Sequence, residues 1–264
     1  MNEIHISGIG LAAPGLAGWE EGQRCLAGET DYEATSLPRL TPEILPPNER
    51  RRTSPIMRLA LAVAYEAAQN AEADLAELAS VFASASGDMD IIHAICETLA
   101  SSDPAISPTQ FHNSVHNAPA GYWSIASKSR APSTSLSAFD ASFAAGLMEA
   151  ATQVGLEGGS VLLAAYDVPP PFPISEARPV REPFGCALVL TQEASAASSA
   201  CLTLELVKDQ EETVLDHAGL EALRRDNPAA RALPLLKALA EGATARLVLP
   251  YLPGRQLLVE CVPC

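Results

Sequence analysis

The segment 133–167 constrains the fold more than any other part of the sequence. Ser133 to Ala138 alternates like a strand, Ala141 to Leu156 is a helix of small residues, Gly158-Gly159 ends it, and Ser160 to Tyr166 is an apolar run of strand length. Strand, sharp turn, helix and strand in that order make an α/β unit, whose helix must bury a face on a sheet. The turn itself, Ala138-Phe139-Asp140-Ala141-Ser142, is of the kind on which several enzyme folds expose a nucleophile at the start of a helix.

The remaining sequence alternates strand and helix signals. Glu3 to Leu11 reads as a buried strand running into glycine-rich turns, and a helix follows from about Trp19 to Ala27. Thr35 to Asn48 reads as a surface loop. Ser54 then Pro55 supplies an N-cap and an N1 proline for a core helix, with Met57, Leu59, Ala60, Leu61, Val63 and Ala64 on its wide apolar face. Val81 to Ala85 is a short strand that enters Ser86-Gly87. Met89 to Leu99 then predicts a helix with one stripe of Met89, Ile92, Cys96 and Leu99 and another of Ile91 and Ile95. A proline-rich loop begins at Pro169. Beyond it, Phe184 to Thr191 and Cys201 to Val207 read as strands, and Ala218 to Glu241 as a helix interrupted near Asn227-Pro228. Ala245 to Pro250 and Gln256 to Val262 read as a closing hairpin. With neither repeat nor linker, residues 1–264 are expected to form a single layered α/β unit.

An apolar fraction of 48% is enough for a sizeable core. The net charge of -15, from 17 basic and 32 acidic side chains, repels phosphate backbones and anionic lipid, so nucleic acid is not an expected partner. The opening MNEIHISGIGLAAPG lacks a basic and apolar secretory pattern, and no apolar run reaches the roughly 18 residues of a membrane span. A cytoplasmic protein is expected. Cysteines 25, 96, 186, 201, 261 and 264 lie mostly in apolar stretches, which suits reduced core thiols. Cys261 and Cys264 form a C-x-x-C, but not at the start of a helix, where such a pair is activated, and one pair is half a zinc site.

Few side chains offer chemistry. Asp140 stands where the turn would expose a nucleophile; as an ionised residue before a helix it also suits capping of free N–H groups. Ser142 lacks a G-x-S-x-G context. His112 and His116 would share a face only on a helix, which their stretch does not clearly predict, and no third ligand is near. His93 falls between the stripes of its helix, and His5 and His217 lack context. Gly8-Ile9-Gly10 lacks the third glycine of a dinucleotide fingerprint. No metal and no cofactor is expected.

From Ile106 to Asp167 the sequence resembles, without a gap, the beta-ketoacyl synthase family. Ile106-Ser107-Pro108, Asn117, Ala120-Gly121, Ile125, Arg130, Pro132-Ser133 and Ser135 are similar to its approach to the nucleophile, and Val161 to Ala165 to the strand after the nucleophile helix. Ile4 to Gly28, Arg51 to Ala68 and Phe184 to Leu190 resemble three further segments in the family's order. The resemblance implies a thiolase-like, layered αβαβα fold, with residues 1–195 as a ketosynthase-type N-terminal half and 196–264 as an abbreviated C-terminal half. It also places Asp140 on the family's catalytic cysteine.

Departures from the family shape the expected function. After Ala200 neither V-E-A-H-G-T-G-T nor K-x-x-x-G-H is present, and the only histidine is His217. A chain lacking the thiolate and both histidines has no catalytic residue for condensation. The resemblance then implies a chain-length-factor-like subunit, paired with an active ketosynthase and meeting acyl carrier protein mainly through that partner. Such chains resemble accessory subunits of aryl polyene, fatty-acid and polyketide-type biosynthesis. Thr134, Ser135, Leu136, Ser137 and Ala138 would lie at the dimer axis. Met89, Ile92 and Cys96 would wall the acyl tunnel, where side-chain bulk discriminates by about 1–3 kcal/mol per methylene. An independent acyl-thioester hydrolase or transferase using Asp140, and a non-catalytic scaffold, are the alternatives.

Overall fold

The computed structural model describes residues 3–264. In chain order it runs β1 (Ile4–Ala13), β2 (Leu16–Ala17), α1 (Trp19–Leu26), α2 (Pro47–Arg50), α3 (Pro55–Asn70), β3 (Ala79–Ala83), α4 (Met89–Ala100), α5 (Pro108–Asn113), α6 (Ala118–Ser127) and β4 (Ser133–Leu136). Then come α7 (Ser142–Glu157), β5 (Ser160–Asp167), α8 (Ile174–Ala177), β6 (Phe184–Thr191), β7 (Ala200–Val207), α9 (Ala218–Asp226), α10 (Leu233–Glu241), β8 (Ala245–Leu252) and β9 (Arg255–Pro263). The strands hydrogen-bond in the order β4-β3-β5-β6-β1-β7-β9-β8, with β2 beside β1.

Among the described residues this is one continuous nine-stranded sheet built of two differently arranged parts, a first sheet and a second. In the first, β4, β3 and β5 run parallel to one another, and β6 is antiparallel to its neighbours β5 and β1. The second, β7-β9-β8, is antiparallel throughout. They join where β1 meets β7, over the three pairs Ile4↔Leu202, His5↔Cys201 and Ile6↔Ala200.

The layers follow from which faces are apolar. On one face of the first sheet, α3 and α6 bury Leu59, Val63, Phe82, Trp123 and Tyr166 in one core. A second core lies between the two sheets, where α7, α9 and α10 bury Phe143, Leu147, Leu220, Leu235 and Leu236 against β1, β5, β7 and β9. The layered α/β fold expected from the sequence is the one observed, and its C-terminal half is the abbreviated one. The main helices touching β8 and β9, α7 and α10, belong to the middle layer. On the other side Glu205, Arg246, Glu260 and Val262 face solvent, as an antiparallel sheet permits.

Local chemistry explains the close packing around α3. Ser54 caps it, accepting from the Met57 N–H at 3.4 Å, with Pro55 in its first turn. Its backbone lies against β1 so closely that a Cβ on Gly10 would fall 2.1 Å from the Val63 carbonyl oxygen, and one on Gly8 2.2 Å from that of Ala67. Only glycine fits there. Glu66 fastens the same corner, its carboxylate accepting from Leu11 N at 2.8 Å and Trp19 N at 2.6 Å.

Most expected elements stand within a few residues of their places. The stretch around His112 is more helical than the sequence reading allowed, because α5 and α6 occupy 108–113 and 118–127. Pro108 and Pro119 sit in the first turn of each, where a missing N–H costs no hydrogen bond. Cys261 and Cys264 share no reactive site. Cys261 is buried in the middle core, where burial pushes its thiol up to about 11, while Cys264 is exposed and contacts His5 Nδ1 at 3.7 Å.

Candidate functional site

The carboxyl ends of the parallel strands β3, β4 and β5 lie side by side, and α4 and α7 start from the loops that leave β3 and β4. In open α/β sheets such ends form the usual crevice for ligands. Three segments converge here: Ser84-Ala85-Ser86-Gly87 after β3, the turn 137–141 after β4, and Asp167 closing β5.

The turn is an elbow with strain in it. Phe139 has φ 55°, a left-handed conformation that costs a side-chain-bearing residue roughly 1–2 kcal/mol, and it leaves the ring 61% exposed. Asp140 follows within a single 3-10 turn, Phe139–Ala141, that precedes α7. The expected capping by Asp140 is not what forms. No side chain caps α7 through its N-cap residue Ala141; the turn is braced instead by buried Ser142, whose hydroxyl donates to the Phe139 carbonyl at 2.7 Å and accepts from Ala138 N at 3.0 Å. That role also removes Ser142 as a nucleophile. Asp140 lies before the helix axis begins, and its Oδ1 accepts from Arg178 at 2.9 Å.

Arg178 comes from the end of α8, inside the proline-rich loop 168–183. Its guanidinium carbon lies 3.8 Å from the centre of the Phe139 ring, so one arginine pairs with Asp140 and stacks on its neighbour. The carboxylate at the elbow is thus held by a cation. With Asp140 about half exposed, the pair contributes at most about 1 kcal/mol.

Asp167 is the more unusual carboxyl. It is buried, and its Oδ1 accepts from the Ser84 hydroxyl and Ala85 N–H, both at 2.9 Å, while Oδ2 has no hydrogen-bond partner. Burial pushes its pKa up to about 7, against the opposing pull of those hydrogen bonds and of the Arg178 charge. The same loop is held by His116, whose Nε2 lies 3.1 Å from the Ser84 carbonyl oxygen. His112 instead lines a groove of about 600 Å³ between α5 and α6, with exposed Phe111, Val115 and Ile125. The two histidines therefore serve different places, and among the described residues no group of three or more His, Cys, Asp or Glu is arranged to hold a metal.

Beside the elbow lies α4, capped by Asp88, which accepts from Ile91 N at 3.1 Å. None of its twelve residues is buried. Ile91 rests against the core under α3, whereas Met89 and Ile92 are half-covered and Cys96 and Leu99 exposed. Among the described residues β4 has β3 as its only strand neighbour, so its other edge is open. Thr134, Ser135 and Leu136 lie on that edge strand, and Ser137 and Ala138 belong to the elbow that follows. Sequence reading missed Arg178, Asp167, Ser84 and the strained Phe139. The one available signal was a pair of arginines, Arg178 and Arg181, in a proline-rich loop, and it reveals neither which of them reaches a site nor which turn that loop crosses.

Among the described residues no helix is long and apolar enough to cross a membrane. A family model, beta-ketoacyl synthase, N-terminal domain, matches residues 19–248. No curated protein matches the chain. Among solved structures, a chain from a ketosynthase in complex with its chain length factor, from Xenorhabdus doucetiae, matches at TM-score 0.75 and 24% identity, over 98% of this chain and 100% of its own. A chain of the ishigamide ketosynthase/chain length factor matches at 0.76 and 14% identity, over 99% of each. The module 6 ketosynthase of the bacillaene synthase from Bacillus subtilis matches at 0.57 and 14% identity, over 86% of this chain but only 45% of its own. Identities this low speak for the shared fold, and its extent here is that of the first two chains.

Proposed function

The chain belongs to the beta-ketoacyl synthase N-terminal domain family, and on that premise we propose that it is a non-catalytic, chain-length-factor-like subunit of an active ketosynthase. One observation carries the proposal: α4, apolar on two stripes, has no buried residue, and β4, which neighbours the strand from which α4 springs, has an open edge. Large apolar side chains each gain roughly 1.5–3 kcal/mol on full burial, so a half-covered apolar helix gains when a second chain covers it. Exposed Phe111, Val115 and Ile125 extend the same flank through α5, which contacts α4, and α6, which contacts β4.

In this reading residues 1–195 are the ketosynthase-like half of one unit, and 196–264 its shortened half. Asp140 stands on the position of the catalytic cysteine. Its pairing with Arg178 supports an inert role, since a carboxylate neutralised by a guanidinium is a poor nucleophile. Condensation needs an acyl-accepting thiolate and groups that stabilise the developing oxyanion, and the partner supplies both. Thr134 to Ala138 pair across the interface, and Met89, Ile92 and Cys96 limit the acyl or polyene chain. Acyl carrier protein meets the assembly mainly on the partner. Pathways of aryl polyene or related polyketide and fatty-acid type are the setting.

Co-expression with a ketosynthase is expected to yield a stable 1:1 complex that Ile92→Asp disrupts, and Met89→Ala or Ile92→Ala is expected to lengthen the products. A chain that stays apart from every ketosynthase tested would sink the proposal. So would an isolated chain that turns over acyl thioesters and loses that activity in Asp140→Asn.

A further inference from the structure

The chain keeps a group of arginines without acids. Arg178, Arg224, Arg225 and Arg231 each reach a carboxylate within 3.5 Å. Arg39, Arg50, Arg51 and Arg58 form no ion pair among the described residues, although the chain carries 32 acidic side chains to 17 basic ones. All four line one small cavity of about 230 Å³, together with Leu40, Thr41 and Pro42. Arg50 is spent on structure, donating to the Glu43 and Leu45 carbonyls at 3.0 and 2.9 Å, and Arg51 donates to the Asn48 side chain. Arg58 gives only its Nε to a neighbour, the Thr53 hydroxyl, at 3.1 Å. Its pKa is lowered by burial and by the like charge of Arg39. Two guanidinium groups set near each other without an acid between them make a standing demand for an anion.

A second cavity of about 400 Å³ adjoins the first. Leu37, Pro38, Pro55, Leu59, Val168 and Pro183 give it apolar walls, and Arg39, Leu40 and Arg58 line both spaces. The cations therefore stand at the seam between a polar chamber and an apolar one.

We propose that this double cavity binds an amphipathic anion, with a carboxylate or phosphate head between Arg39 and Arg58 and an alkyl tail of moderate length against Leu37, Leu59 and Val168. Guanidinium forks match either head through paired N–H donors, and the tail displaces water from apolar walls. The site does not depend on the proposed subunit role; it lies beside α3, on the sheet face that α3 and α6 cover, with Val168 next to Asp167.

Calorimetric titration of the full chain, alone or in whatever complex it forms, tests this with four probes: decanoate, decyl phosphate, decanol and inorganic phosphate. One equivalent of decanoate or decyl phosphate is expected to bind saturably, with decanol and inorganic phosphate at least about tenfold weaker, because each lacks one half of the match. The tighter of the two anions identifies the head group. Arg39→Gln, on an exposed loop, and Arg58→Gln are each expected to weaken the better anion about tenfold, while Arg255→Gln leaves it unchanged. Decanol binding as tightly as decanoate, or full affinity in both Arg39→Gln and Arg58→Gln, overturns the proposal.

Discussion

The two sheets solve the same problem differently. β5 is buried along nearly its whole length, Val161 to Asp167, because helices pack on both faces of its sheet. β7 and β9 alternate over most of their length instead, with Leu202, Leu204, Leu257 and Val259 inward and Glu205, Glu260 and Val262 outward, although Leu258 on the outer side is also buried. A parallel arrangement leaves both faces apolar and needs two covering layers; an antiparallel one tolerates water on one side. A chain can therefore do without an outer helical layer over its C-terminal strands and still keep a closed core. The loops and strand ends that could hold chemistry all belong to the doubly covered half.

Substitutions can break this contrast. Gly10→Val is expected to abolish folding, a loss beyond about 4 kcal/mol, since the new side chain collides with the Val63 carbonyl where α3 touches the sheet. Yield of soluble protein and its circular dichroism check this. Next in size, Leu163→Ala in β5 is expected to cost about 2–5 kcal/mol by urea denaturation, whereas Val262→Ala, on the wet face of β9, is expected to stay within about 0.5 kcal/mol. Equal losses at the two sites would erase the distinction.

Asp167 sharpens the comparison further, as a carboxyl that only a doubly covered sheet end can bury. Its folded pKa, raised to about 7, lies above the ordinary carboxylate value. Below about pH 4 both states hold the proton. Between about pH 4 and 7 the unfolded chain releases it first, so stability falls as pH rises, by up to about 1.4 kcal/mol per unit, and above about 7 the fall stops. Asp167→Asn, which keeps an oxygen for Ser84 and Ala85, is expected to remove that fall when unfolding is measured at about pH 5 and about pH 7.5. The smallest effect is expected at the elbow. Arg178→Ala breaks a half-exposed ion pair and is expected to cost about 1 kcal/mol or less, apart from any influence on partner binding.

Much of the first sheet was legible because its signals are local. Ser54-Pro55 starts α3, Gly158-Gly159 ends α7 with positive φ at both glycines, and the alternation of 256–262 marks a hairpin strand with a wet side. The helices α5 and α6 were not legible, since Pro119 and Gly121 look like breakers until the first turn is known to contain them. The site was harder still. Asp140 looked like a cap because a helix follows it, and nothing nearby in sequence announces that Arg178 arrives from a loop to take its charge. Arg39 and Arg58 likewise lie on a loop and a helix that meet only in the folded chain.

The register of β1 governs the order in which the protein can be made. Residue 5 pairs with residue 191 on one side and residue 201 on the other, so the first strand leaves the ribosome long before either neighbour exists. At ordinary rates of synthesis that wait is about ten to forty seconds, during which β1 has only the two pairs with β2 at its end as a ladder. Assembly of the central sheet is thus a late, largely post-translational event, and a nascent chain cut short before β6 would leave its opening strand to chaperones.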